Sequence, residues 1–143
     1  MSPEIINFIQ SQRVCVIALE MLDGSPHAAT VHFAFDQEAN MFLFETCRDY
    51  RKAEPLFGRE ISRASLVIGF DESNMKTLQI DGEVKLVKAE EQQHFDEVYY
   101  GKFPTKKEKN YGSPAVFFSF TPTWWRYTDW TKPEGKFILS SDL

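Results

Sequence analysis

The sequence predicts a mainly β domain with a few short helices, folded as an antiparallel barrel, closed or partly closed, around one small core. Three observations predict it. Seven short apolar or alternating segments are separated by turn residues, long helical patterns are scarce, and 143 residues leave room for one compact domain spanning 1–143.

Ser2-Pro3-Glu4 reads as a helix start, with a capping hydroxyl, a pre-set φ and an acid at the positive end of the dipole. Ile5, Phe8 and Ile9 then share one face of a short amphipathic helix. Residues 14–21 are apolar and β-branched, Asp23-Gly24 is a turn signal, and residues 27–35 alternate, so a hairpin is expected. A turn at 36–40 leads to a third strand at 41–46. Residues 49–57 have helical composition, with Pro55 expected near the end of an irregular turn or two. Strands are expected at 64–70 and 76–87, with Gly82 marking a bulge or bend in the second. A helix with an acidic first turn follows at 90–100, placing Phe95, Val98 and Tyr99 on one side. A Lys-rich loop at 101–113 precedes two last strands, 115–120 and 124–130, parted at Thr121-Pro122, and residues 131–143 form a C-terminal tail.

Charge and composition narrow the function classes. Sixteen Lys+Arg against 21 Asp+Glu give a formal charge of −5, so there is no general attraction to nucleic acid or an anionic membrane, and any anion site must be local. The longest apolar run, 14–19, falls well short of the roughly 20 residues of a membrane helix, and the N-terminus lacks a basic leader. A cytoplasmic protein is expected, with Cys15 and Cys47 as reduced thiols and no metal-ligand spacing. Thirteen Phe, five Tyr and three Trp exceed what a small core needs, and a subunit interface or a flat ligand would use the surplus.

The stretch 44–56, FETCRDYRKAEPL, is the most informative. Arg48, Arg51 and Lys52 stand at i, i+3 and i+4, so a helix beginning near Asp49 gathers three cations around its first turn, against the helix dipole. A bound phosphate removes that conflict, and the Thr46 hydroxyl and a guanidinium suit one. A solvated basic turn is the other reading of the same charges.

This order of pieces, with LQIDGEVKLV at 78–87 and FSFTPTWWRY at 118–127, resembles the pyridoxamine 5'-phosphate oxidase-like FMN-binding split β-barrels over about residues 11–130. The resemblance implies an antiparallel split β-barrel and a homodimer with FMN at the subunit interface. It puts Arg51 and Lys52 on the FMN phosphate, with Glu45 and Thr46 beside it. It runs Ala29, Thr30, Val31 and His32 along the isoalloxazine. The family's polar flavin contact falls on Thr77, with Gln79 on the same strand face to take it over. His32 and Arg126 are the plausible donors to the flavin, and Trp124 and Trp130, sharing a face with Arg126, are expected to cover a ring from the partner subunit. Residues 128–143 contain neither Arg nor His, which departs from the oxidase's substrate-binding segment. The resemblance therefore implies the short branch of general stress proteins and flavin reductases, with oxidoreductase activity on a small molecule. A non-enzymatic FMN- or haem-binding protein, with His32 as axial ligand, and an F420-dependent reductase remain open alternatives.

Overall fold

The computed structural model describes residues 1–109 and 112–142. Positions 110, 111 and 143, which fall within the expected loop and C-terminal tail, lie outside the described residues. In chain order the elements are α1 (Pro3–Ser11), β1 (Val14–Glu20), β2 (Pro26–His32), β3 (Ala34–Asp36), β4 (Met41–Cys47), a 3-10 turn (Arg51–Ala53), α2 (Glu54–Gly58), β5 (Ser62–Ile68), β6 (Lys76–Leu86), α3 (Gln92–Lys102), β7 (Ala115–Asp129) and β8 (Phe137–Ser140). The strands form one antiparallel sheet in the order β2-β1-β5-β6-β7-β4-β3, with β8 added along β7.

Strand parity decides what fills the sheet's concave side. Cys15, Ile17 and Leu19 of β1, Leu66 and Ile68 of β5, and Leu78, Ile80 and Val84 of β6 all turn inward. Ile5, Phe8 and Ile9 of α1 pack onto the same core. Many of the aromatic residues are interior, so the core takes more of the ring surface than the sequence reading gave it. Phe33, Phe35, Phe42, Phe44, Phe118 and Phe120 are buried together, with Phe44 stacked on Phe118 at 4.8 Å between centroids. A second small cluster, Phe95, Tyr99 and Phe103, seats α3 on Ala34 and Leu43.

Several boundaries differ from the sequence reading. The expected strand 27–35 is two strands, because after Phe33 the chain leaves β1 and takes β4 as its partner. The expected strands 115–120 and 124–130 are one strand of 15 residues. Thr121-Pro122 does not break it, because Pro122 sits where the register shifts beside the Asp81-Gly82 bulge and no ladder bond is required of it. The expected tail contains β8, whose Phe137–Ser140 adds to the edge of β7. Pro55 stands at the start of α2, where its missing N–H costs nothing, not near the end of a turn. The Ser2 hydroxyl makes no capping bond, although Pro3 and Glu4 open the helix as expected. Glu90 and Glu91 lie in a 3-10 turn (Ala89–Glu91) ahead of α3, not in its first turn.

Gly82 has a steric reason to be glycine. A Cβ there would stand 2.3 Å from the Thr121 carbonyl oxygen and 2.6 Å from the Phe120 ring. Gly82→Val is expected to destabilise the fold by about 1–3 kcal/mol through overpacking, read as a lower urea midpoint at unchanged slope. On the α3 side, exposed His94 reaches buried Asp36 at 2.6 Å, and this bond raises the imidazole above its ordinary 6.5. A raised native-state value stabilises fully below the unfolded value and loses that contribution as pH climbs through the folded one. The melting-temperature gap between wild type and His94→Gln should therefore be widest between about pH 5 and 6.5 and should narrow above it.

Candidate functional site

The sheet closes on itself imperfectly, and the site lies in the gap. The β3–β4 ladder ends at Ala34↔Leu43. Beyond it, residues 30–32 of β2 and 45–47 of β4 diverge and leave a wedge between two strand edges. The wedge is a cavity of about 170 Å³ lined by Thr30, Val31, His32, Glu45, Thr46, Cys47, Tyr50, Lys52 and Lys106.

Its polar groups fall into two sets. In the first, Thr46 is buried at the end of β4, and its Oγ1 has no hydrogen-bond partner. Lys52, on the 3-10 turn after β4, lies with its Nζ 4.5 Å from the centre of the Tyr50 ring. Partial burial holds this ammonium below the usual lysine range. Among the described residues no carboxylate pairs with it. A cation and a buried, orphaned hydroxyl on two residues that line one small cavity are a donor set without an acceptor.

In the second set, Lys106 Nζ lies 3.0 Å from His32 Nδ1. Burial raises the Glu45 carboxyl, opposed by a hydrogen bond from Tyr100 and by the charge of Lys106. Burial likewise lowers Lys106 and His32, with Lys106, Arg13 and Lys102 adding to the effect on His32.

The sequence-derived site residues separate into three groups. Thr30, Val31, His32, Glu45, Thr46 and Lys52 line the wedge together. Ala29 adjoins them but packs against the core, and Arg51 is exposed on the same turn as Lys52; the Asp23 carboxyl is lowered chiefly by its hydrogen bonds from Ser25, with Arg51 a small addition. The three cations are not gathered at one point as expected, because the helical turn starts at Arg51 and Arg48 instead lies 3.8 Å over the Phe57 ring. Thr77, Gln79, Trp124, Arg126 and Trp130 do not line this chain's wedge. Gln79 pairs with Arg126 across β6 and β7 on the outer face of the sheet, where Arg126 lies 5.5 Å from the Trp124 ring. Trp130 lines a separate apolar hollow with Phe70 and Met75. The sequence reading missed Tyr50 and Lys106. Tyr50 lies inside the informative stretch, whereas Lys106 reads as one more charge of a Lys-rich loop.

Among the described residues no group of His, Cys, Asp and Glu is placed to hold a metal ion, and no helix is long and apolar enough to cross a membrane. Both cysteines are free and buried.

A family model described as pyridoxamine 5'-phosphate oxidase matches residues 1–129. No curated protein matches the sequence. Among solved structures, a pyridoxamine 5'-phosphate oxidase-related, FMN-binding protein of Nostoc punctiforme is similar with a TM-score of 0.68 at 14% identity, covering 98% of this chain and 90% of that one. A protein of Clostridium acetobutylicum related to general stress protein 26 gives 0.64 at 16% identity, covering 97% and 93%. An FAD-binding protein of Mesorhizobium loti gives 0.64 at 16% identity, covering 89% and 94%. At such identities the likeness is one of fold, the split barrel. Its arrangement predicts that Thr46→Val, which removes an unbonded buried hydroxyl, costs the free protein less than about 1 kcal/mol by thermal melting.

Proposed function

The chain belongs to the pyridoxamine 5'-phosphate oxidase family, and from that premise we propose that it binds FMN in the wedge, acts as a homodimer and serves two-electron chemistry on a small molecule. The observation that carries the reading is the buried, unpartnered Thr46 hydroxyl beside the half-buried and unpaired Lys52. A phosphate monoester satisfies both: the hydroxyl donates one hydrogen bond, the ammonium supplies charge, and Arg51 on the same turn supplies a second cation from the solvent side. The FMN- and FAD-binding relatives support a flavin in particular. When bound, a flavin supplies reversible hydride chemistry that no side chain of this chain can.

The protein's own part is positioning. Val31 and the Thr30 and His32 backbone on the edge of β2 form one wall for a flat ring, and the phosphate anchor fixes its distance from that wall. At about 170 Å³ the wedge is smaller than the roughly 300–1,000 Å³ of a site that encloses a drug-sized ligand, so one chain holds only part of such a cofactor. Gln79, Trp124 and Arg126 stand on the outer sheet face, Trp124 donating its Nε1–H to Asp142 and Arg126 lying over the Trp124 ring, and there they complete the site of a second copy in this reading. Half-buried Val14, Val16, Ala18 and Val67 give that face an apolar surface.

Mass spectrometry of the small molecule that copurifies tests the cofactor directly, with FMN expected and F420 or haem as the contrary results. In a fluorescence titration, Lys52→Met should weaken FMN binding about 10–100-fold, the loss of one charge-assisted contact, and Arg51→Ala with Lys52→Ala should abolish retention. Arg48→Met, which loses only its stacking on Phe57, should bind FMN as wild type does. Sedimentation at micromolar concentration should give a dimer, and a monomer that still binds FMN tightly contradicts the shared site.

A further inference from the structure

The contact between Lys106 and His32 decides where the histidine carries its proton. An ammonium has three donors and no acceptor. With Lys106 Nζ 3.0 Å from His32 Nδ1, Nδ1 must accept, and the neutral imidazole keeps its proton on Nε2. The surroundings disfavour a charge on the ring. It stands edge-on to buried Phe103 at 5.3 Å, and that ring is itself surrounded by Arg13, Lys102 and Lys106 at 4.8, 5.6 and 5.2 Å. Glu45 is the carboxylate that offsets this positive charge, acting on Lys106, while Asp96 acts on Glu45 and Lys109 on Lys106. Burial holds Lys102 at about 8 and, with the three cations, keeps His32 below its ordinary value.

We propose that His32, with its tautomer set by Lys106, is the proton donor to a small electron acceptor bound in the wedge, one whose oxygen or nitrogen becomes basic as the molecule gains an electron pair. As the Nε2–H bond breaks, a bond from that hydrogen to the acceptor's oxygen or nitrogen forms. In the same step a Lys106 N–H bond breaks and Nδ1–H forms, so the imidazole stays neutral and Lys106 is left as an amine; when solvent then protonates Nε2, the Nδ1–H proton returns to Lys106 and the starting tautomer is restored. One positive charge moves from Lys106 to the acceptor; burial lowers Lys106 and so favours giving up the proton, while the charge of Glu45 opposes that lowering. The electron pair comes from the reduced flavin of the reading above, on which this proposal rests for its substrate but not for its tautomer. Quinones, nitro compounds and imines belong to the class, whereas an acceptor that takes up electrons without a proton does not need the device.

Two measurements test it. The chain has three histidines, and nitrogen-correlated spectra of the ligand-free protein, assigned with His32→Gln, report each tautomer. His32 should be Nε2-protonated at neutral pH with a midpoint below 6.5, Lys106→Met should mix the tautomers and raise the midpoint, and Lys106→Arg should restore both. A His32 protonated on Nδ1, or a tautomer indifferent to Lys106→Met, overturns the proposal whether or not flavin binds. In the flavin-loaded protein, single-turnover reoxidation by a nitroaromatic acceptor should slow on the order of 10²–10⁴-fold in His32→Gln, with the solvent isotope effect of the wild type lost. An unchanged rate overturns the donor role while leaving the flavin reading intact. Failure to bind flavin at all counts against that reading and leaves the tautomer spectra to decide the lock.

Discussion

One sheet whose two ends meet without a ladder is the constraint on which the rest of this molecule depends. Residues 26–36 begin as the partner of β1 and, past Phe33, become the partner of β4, so the chain stitches the barrel shut at one place only. Below that stitch the edges of β2 and β4 separate. There β2 keeps its ladder to β1 and β4 its ladder to β7, but the two have no ladder between them, and the groups on their facing edges line the cavity. The interior enforces the geometry. Phe42 touches Phe33, Phe35 and Phe120, bracing the stitch from inside, so curvature and gap are two results of the same packing.

Much of this architecture was legible in the residues. Apolar runs placed β1, β5 and β6, Asp23-Gly24 marked the first hairpin, and Gly82 marked the bulge, because each is a local preference that the tertiary structure had no reason to override. The misreadings share a cause as well. Whether residues 27–35 are one strand or two, and whether Pro122 ends a strand or rides a bulge, depends on which neighbour each residue meets, and no local preference records that. β8 was illegible because four residues with one Pro and one Gly upstream look like a tail until β7 offers them an edge.

The site was legible in part for a different reason. Thr46 and Lys52 sit close in sequence, so one stretch displays them. Thr30 to His32 come from a distant strand and were brought in by resemblance, and the fold places them across the wedge. Lys106 belongs to a loop far along the chain, where a solvated lysine and a half-buried one look alike. Trp124 and Arg126 show the limit of parity: period two says that they share a face, but not that the face is the outer one. Net charge also misleads at this scale. A chain at −5 still gathers Arg13, Lys102 and Lys106 around one phenylalanine ring.

β7 is bordered on one side by β6 along most of its length, while β4 covers the first half of its other side and β8 the second. Four residues thus occupy a stretch of edge that would otherwise stand open to any extended peptide. Clipping the chain behind Asp129 would strip that border of its partner, so β8 caps an edge of the sheet as well as lengthening it.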